Sequence, residues 1–165
     1  IRSRNLRLFK QNMAGFSAPG TYDTIVSVGD SLNYLIERED FEAALKSAYD
    51  HLRDGGIFIF DLNTEYKFKN IDPVTVDEVE DVFYIWENIF DEESKLNTYG
   101  VNFFRNTEDN NYKRFYEEHL ERAYDLSYVK NILEEIGFCD MEVYDDYDFK
   151  EASDETSRYT IAARR

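Results

Sequence analysis

Two short runs of apolar or small residues on either side of an amphipathic segment constrain the fold of this chain more than any other feature. The runs are residues 24–28 (TIVSV) and 57–62 (IFIFDL), and each suits a strand that is buried on both faces. The apolar residues between them recur at helical spacing: Phe41, Ala44, Leu45, Ala48 and Leu52. Gly55 and Gly56 are predicted to end that helix. Strand, helix and strand in this order predict a βαβ unit of an α/β sheet.

Further strands are predicted on both sides of this unit. Residues 6–10 (LRLFK) have the pattern of a short strand. Residues 82–90, 96–105 and 112–124 are rich in aromatic residues and are separated by the turn sequences DEES and NTEDNN. We therefore expect a three-stranded antiparallel meander after the βαβ unit.

A helix and a final hairpin are predicted for the end of the chain. The helix spans residues 126–136, with Asp125 or Ser127 as its N-cap and Gly137 as its stop. Two strands at residues 141–144 and 159–163 follow it. The predicted fold is α/β, with residues 1–78 and 125–165 in one sheet domain and residues 79–124 as an inserted antiparallel β cap.

The charge of the chain excludes some partners. Acidic residues outnumber basic residues by 35 to 19, which gives a formal charge of −16. Such a surface repels phosphate groups, so nucleic acid and anionic membranes are not expected as partners. The single cysteine, Cys139, cannot form an internal disulfide, and this predicts a reducing, cytoplasmic location.

Polar residues follow three of the predicted strands, at the edge where open α/β sheets bind their ligands. They are Asn12 after the first strand, Gly29, Asp30 and Ser31 after the second, and Asp61 and Asn63 after the third. Two interpretations of Asp30 and Ser31 stay open. They can cap a short helical turn, or they can contact a ligand.

The aromatic meander has two interpretations as well. Its strands carry amphipathic rings and one histidine: Trp86, Tyr99, Tyr112, Tyr116 and His119. Mixed aromatic and polar faces suit the wall of a small-molecule pocket, but an ordinary aromatic layer against the core has the same pattern. His119 can act as a general base or as a structural histidine. No cysteine and histidine spacing suggests a metal site, and none is predicted.

Several segments together resemble one family of enzymes. They are FSAPGTYDTIVSVGDSLNYL at residues 16–35, HLRDGGIFIFDLNTEYKF at residues 51–68 and EEHLERAYDLSYVKNILEEIGF at residues 117–138, together with QNM at residues 11–13. In this order they resemble the class I S-adenosylmethionine-dependent methyltransferases, and most of all a bacterial branch that acts on small molecules. The resemblance implies a Rossmann-like methyltransferase sheet, an inserted β cap and S-adenosylmethionine as the cofactor.

The resemblance also identifies which strands are present. Residues 6–10, 24–28 and 57–62 correspond to the third, fourth and fifth strands of the family's sheet. The family's glycine-rich loop follows its first strand, and this sequence contains no such loop. We therefore expect the other half of the site to precede Ile1, in a longer enzyme. The alternative is a non-catalytic, methyltransferase-like binding or regulatory module.

The resemblance assigns roles to individual residues. The expected cofactor contacts are Asn12, Met13, Gly29, Ser31 and Leu32. The expected substrate contacts are Asn33, Asn63, Tyr66, Trp86 and Tyr116, and the expected catalytic residues are Asp30 and His119. For Asn12 and Met13 the alternative is a turn asparagine beside a core methionine. The expected partner is a small-molecule methyl acceptor, and a homodimer is the assembly we considered.

Overall fold

The βαβ unit is present in the structure, a computed structural model that describes residues 6–107 and 111–165. Strand β1 (Tyr22–Ser27) leads through helix α1 (Arg38–His51) to strand β2 (Leu52–Asn63). The two strands are parallel, with Ile25 opposite Phe58. Their carboxyl ends therefore lie at the same edge of the sheet, as the sequence predicted.

The inserted cap is a separate sheet with one more strand than expected. It contains β3 (Val74–Val79), β4 (Val82–Asp91), β5 (Leu96–Asn106) and β6 (Tyr112–Arg122) in antiparallel order. Strand β3 was not predicted, and every residue in it is exposed. The predicted turn between β5 and β6 includes residues 108–110, which lie outside the described residues. The division of the chain into two domains stays a prediction.

The final segment completes the first sheet. Helix α3 (Leu126–Ile136) is followed by β7 (Cys139–Asp145) and β8 (Arg158–Arg164), which form the predicted hairpin. The strand order is β1-β2-β8-β7, and β8 runs antiparallel to β2. The α/β fold class is thus confirmed. No helix in the described part of the chain has the length and apolar character needed to cross a membrane.

The main core lies between this sheet and the two long helices. Phe41 and Leu45 of α1, Val129 and Leu133 of α3, and Phe60 of β2 are all fully buried in it. A short helix, α2 (Glu65–Asn70), follows β2 and packs its Phe68 side chain against the cap. The cap is therefore attached to the main sheet through residues that directly follow the sheet's carboxyl edge.

Two local predictions were wrong. Residues 6–10 are not a strand, because their backbone is irregular and their side chains are exposed. Gly55 and Gly56 do not end α1 but lie in β2, because the helix already ends at His51. Its last carbonyls are instead capped by Arg165, whose Nη1 donates to the Tyr49 oxygen at 3.0 Å and the Leu52 oxygen at 2.6 Å.

Gly137 does end α3 as predicted, and its replacement has an expected cost. Its φ is +116°, and a Cβ there would lie 2.8 Å from the hydroxyl oxygen of Tyr49. We expect Gly137→Ala to lower the free energy of unfolding by about 1–2 kcal/mol, measured by urea denaturation, because the left-handed backbone disfavours a side chain. Gly15→Ala is the control, since a Cβ at Gly15 meets nothing within 4 Å. Equal effects of the two substitutions would contradict the explanation.

Candidate active site

The turn after β1 binds a carboxylate through two consecutive backbone N–H groups. Gly29 and Asp30 both have left-handed backbone, with φ of 73° and 54°. Their N–H groups donate to Oδ2 and Oδ1 of Asp61 at 2.9 and 2.8 Å. Successive N–H groups in this conformation form a concave anion site, and a non-glycine residue adopts it only when its surroundings hold it there. Asp61 is the anion that this turn holds.

Asp61 also has a cationic and a phenolic partner. Nη1 of Arg158 donates to Oδ2 of Asp61 at 2.7 Å, and the hydroxyl of Tyr147 donates to the same oxygen. Asp61 is only 1% exposed. Its burial would raise its pKa, but these hydrogen bonds and the two from the β1 turn together hold the pKa of Asp61 below its usual value. Asp61 is therefore an ionised carboxylate at neutral pH.

Asn63, two residues further along β2, connects two other carboxyl groups. Its Nδ2 donates to Oδ2 of Asp30 and to Oε2 of Glu121, both at 2.9 Å. Its Oδ1 accepts from Nζ of Lys67 at 2.8 Å. Asn63 is fully buried, so each polar atom of its side chain depends on these protein partners.

Glu121 is the buried carboxyl group of this set. It is the penultimate residue of β6 and is 1% exposed. Burial raises the pKa of Glu121 to about 7, and the neighbouring Asp30 carboxylate acts in the same direction, while the hydrogen bond from Asn63 opposes them. Burial and the Arg158 charge lower the pKa of Lys67. The cluster therefore contains a carboxyl group that can change protonation near neutral pH.

Aromatic side chains extend from this polar cluster along one face of the cap. Strand pairing places His119 directly opposite Tyr99, and alternation places Glu121 on the same face as His119. The Trp86 and Tyr99 rings meet edge to face at 5.5 Å, and the His119 ring meets that of Tyr34 at 5.9 Å. The carboxyl groups thus lie at the base of an aromatic wall.

A separate apolar cavity of about 280 Å³ lies beside β1. It is lined by Met13, Phe16, Ile25, Val26, Ser27, Leu32, Ala44, Ala48 and Phe58. Met13 follows the connector that carries Asn12, and Leu32 follows the Asp30 turn. The cavity is therefore bounded by the ends of the same segments that form the polar cluster, and its lining suits a flat, apolar ring system.

Two residues predicted as ligand contacts, Asn33 and Leu32, are buried in the structure. Asn33 is fully buried, and its amide connects Asn63 to Arg122: Nδ2 donates to both backbone oxygens, at 3.0 and 2.9 Å, and Oδ1 accepts from the Asn63 N–H at 2.9 Å. It has no free surface for a substrate. Leu32 is 3% exposed, and its side chain belongs to the main core as well as to the cavity wall.

The predicted substrate residues on the cap do not share one pocket. The strand register pairs Trp86 with Val101 and Tyr116 with Asn102, so Trp86 and Tyr116 lie on opposite faces of the sheet. The Tyr116 ring instead covers Gly100 on the outer face, where a Cβ would lie 2.8 Å from its hydroxyl oxygen. Tyr116 is therefore corrected to a surface residue of the cap.

The other predicted residues lie in varied surroundings. Tyr66 lines a different cavity, of about 340 Å³, whose lining includes none of the polar cluster. Asn12 is an exposed N-cap whose Oδ1 accepts from the Ala14 N–H at 3.1 Å, as the turn interpretation predicted. The Ser31 hydroxyl donates to the Val28 oxygen at 2.9 Å. Asp30 occupies an N-cap position but makes no capping hydrogen bond with its side chain. Its carboxylate instead accepts a hydrogen bond from Nδ2 of Asn63.

Sequence reasoning missed the residues that complete the site. Glu121, Lys67, Arg158 and Tyr147 were not selected, and Asp61 was noted only for its position after a strand. Strand alternation places Glu121 on the same face as His119, and this was the available signal. No local signal marked Lys67, Arg158 or Tyr147. The β8 register and the loop before it bring the last two to Asp61.

Comparisons with known proteins agree with this architecture. No protein-family model matches the chain. Two curated proteins with provisional methyltransferase names do: one from Geobacillus sp. (strain WCH70), 26% identical over 162 residues, and YqeM from Bacillus subtilis (strain 168), 29% identical over 158 residues. They align with 97% and 94% of this chain, which spans 66% and 62% of their own lengths.

Solved structures give the same result. An S-adenosylmethionine-dependent methyltransferase from Clostridium acetobutylicum ATCC 824 is 32% identical and superposes with a TM-score of 0.83, over 96% of this chain and 64% of that one. CalS10, an amino pentose methyltransferase from Micromonospora echinaspora in its SAM-bound form, superposes with a TM-score of 0.76 over 98% of this chain and 66% of that one, at 14% identity. The second likeness shows the fold alone.

Proposed function

We propose that this chain, a relative of the S-adenosylmethionine-dependent methyltransferases in sequence and in fold, serves methyl transfer from S-adenosylmethionine to a small-molecule acceptor. The observation that carries the proposal is the convergence of the β1 and β2 ends on the Asp30, Asn63 and Glu121 cluster beneath an aromatic wall. Polar groups at the base of such a pocket orient a small ligand, and the aromatic wall excludes water from it.

The cavity beside β1 supports a cofactor site for the adenine end. Its apolar lining includes Met13 and Leu32, and its volume of about 280 Å³ admits a purine ring. The position of a Cβ at Gly29 has nothing within 4 Å, so a ligand can approach this backbone closely. When bound, S-adenosylmethionine supplies an electrophilic methyl group on a cationic sulfur.

The aromatic face of the cap supports an acceptor site. Trp86, Tyr99 and His119 share this face with Glu121, and Asp30 lies at its edge with a side chain about one quarter exposed, at 26%. We assign Asp30 and His119 to the acceptor side. The cytosol is the proposed location, supported by the single cysteine.

Calorimetric titration with S-adenosylmethionine tests the proposal. We expect saturable binding by the protein, and we expect Ser27→Phe to weaken it by about tenfold or more, because the new ring enters the apolar cavity from β1. Ser127→Phe on the exposed side of α3 is the matched control and should bind as the unaltered protein does.

Two results would contradict the proposal. A folded protein that does not bind S-adenosylmethionine would favour the alternative, a non-catalytic binding module. Undiminished binding by Ser27→Phe would move the adenine end to another part of the molecule.

A further inference from the structure

Two carboxyl groups in the polar cluster share one hydrogen-bond donor. Asp30, in the turn after β1, and Glu121, at the end of β6, both accept from Nδ2 of Asn63 at 2.9 Å. Sharing one nitrogen brings the two carboxyl groups close together. Neighbouring carboxylates repel each other when both are ionised, so the pair favours holding one proton.

The nearby cations do not remove this repulsion. Arg158 makes its close ion pair with Asp61 at 2.7 Å and lies 3.8 Å from Asp30. Lys67 donates to Oδ1 of Asn63, and within the described part of the chain it makes no ion pair shorter than 4 Å. Arg158 therefore reaches only the Asp30 side of the pair, and Lys67 acts on the pair only through the Asn63 amide. A shared proton would reduce the repulsion that these two cations leave.

The pair has one buried member and one accessible member. The Glu121 carboxyl is sealed under the cap, whereas the Asp30 side chain is 26% exposed. The titratable and charged groups around the pair are Tyr34, Asp61, Lys67, Tyr99 and Arg158, and His119 lies behind Tyr34. A proton that reaches Asp30 from the aromatic side can therefore be shared with Glu121 without leaving the protein.

We propose that Asp30 and Glu121 act as one proton acceptor for the methyl acceptor, with Asp30 as the contacting base and Glu121 as the positioning residue that shares the proton. The inference rests on the proposed function. In the step, an N–H or O–H bond of the acceptor breaks, its electron pair stays on nitrogen or oxygen, and the proton binds an Asp30 oxygen. The proton is then shared with Glu121 and leaves through the exposed Asp30.

The inferred acceptor class follows from this step. A carboxyl pair that takes up its first proton near neutral pH is matched to remove a proton from an amine or a hydroxyl at that pH. The burial that raises the pKa of Glu121 to about 7 supports this match. The acceptor is therefore a small molecule that presents N–H or O–H, with an apolar part that contacts the aromatic wall.

Carboxyl-carbon NMR of the protein tests the shared proton without cofactor or acceptor. We expect the Glu121 signal to titrate near pH 7 and its midpoint to fall by at least about one unit in Asp30→Asn, because the like charge is removed. Asp148→Asn, on the exposed loop after β7, should leave the midpoint unchanged. A Glu121 midpoint below pH 5, or one that ignores Asp30→Asn, would overturn the inference.

The pH dependence of methyl transfer tests the role of the pair. Tyramine is the probe, because it has an aromatic ring for the wall, an amine and a phenol. We expect its methylation to rise about tenfold per pH unit below pH 7 and then level, and we expect Glu121→Gln to lower the plateau about 10–100-fold and flatten the profile. Glu118→Gln, on the outer face of β6, is the control.

The outcomes separate the inference from the proposed function. If Glu121→Gln unfolds the protein, Asp30→Asn on the exposed rim replaces it and should flatten the same profile. If His119→Asn abolishes the pH dependence of methylation while Asp30→Asn and Glu121→Gln retain it, the inference is overturned and methyl transfer stands. If the unaltered protein binds S-adenosylmethionine but transfers nothing to tyramine, the assignment of the pair is withdrawn whatever the NMR titration shows.

Discussion

Asp61→Asn is expected to lower the free energy of unfolding by about 3–5 kcal/mol, because it removes a buried carboxylate and the closest charged partner of the half-buried Arg158 guanidinium. The carboxylate is 1% exposed and accepts from the N–H groups of Gly29 and Asp30 as well as from Arg158. An asparagine amide has one acceptor oxygen where the carboxylate has two, so one of these donors must also lose its partner. Urea denaturation at pH 7 measures the effect.

The contribution of Asp61 to the free energy of unfolding decreases in acid. The pKa of Asp61 in the folded protein lies below its unfolded value, so its contribution to stability is complete above the unfolded pKa, near 4. That contribution is lost as the pH falls through the folded pKa. The difference between the unaltered protein and Asp61→Asn should therefore be constant above about pH 5 and should shrink in stronger acid.

Asp148→Asn is the matched control for Asp61→Asn. Asp148 forms its ion pair with Lys150 on the surface, where both side chains are more than half exposed. Water screens such a pair, so we expect the stability to be unchanged. If Asp61→Asn were as mild as Asp148→Asn, the Gly29 and Asp30 turn would not depend on its carboxylate.

Asn33→Leu is the second substitution with a large expected effect, about 3–5 kcal/mol in the free energy of unfolding. Leucine has a similar volume but leaves the Asn63 N–H, the Asn63 oxygen and the Arg122 oxygen without a partner. Asn33 is fully buried, so water cannot replace these hydrogen bonds. Chemical denaturation followed by tryptophan fluorescence is suitable, because Trp86 lies on the cap.

Asn12→Leu provides the comparison for Asn33→Leu. Asn12 is exposed and makes one capping hydrogen bond, so its loss should cost about 1 kcal/mol. A result in which both asparagine substitutions cost the same would show that the Asn33 amide is not a structural connection between the main sheet and the cap.

The predictable part of the fold is the part with strong periodicity. Helix α1 and strand β2 follow from an apolar stripe and an apolar run, and Gly137 marks the end of α3 because only a left-handed residue fits there. Strand β3 was missed because a strand with both faces exposed has no apolar alternation to detect. Residues 6–10 have the composition of a strand, but a strand also needs a hydrogen-bonding neighbour, and composition does not report one.

The site was predictable only where it follows the strand ends. Asp30 and Asn63 could be selected because carboxyl ends of parallel strands converge. Glu121 comes from a cap strand, and Arg158 owes its place to an antiparallel register that begins opposite Asn63. Asn33 was assigned to the substrate because its position after the strand is correct, but its burial depends on Arg122, which lies far along the chain.

The Asn33 amide also has a consequence for motion. The Asn63 N–H that it accepts is sealed from water, and the same amide binds the last residue of β6. Separation of the cap from the main sheet would break these hydrogen bonds together with the Asn63 bridge to Asp30 and Glu121. We therefore expect the Asn63 N–H to exchange its hydrogen slowly, in one cooperative unit with the cap.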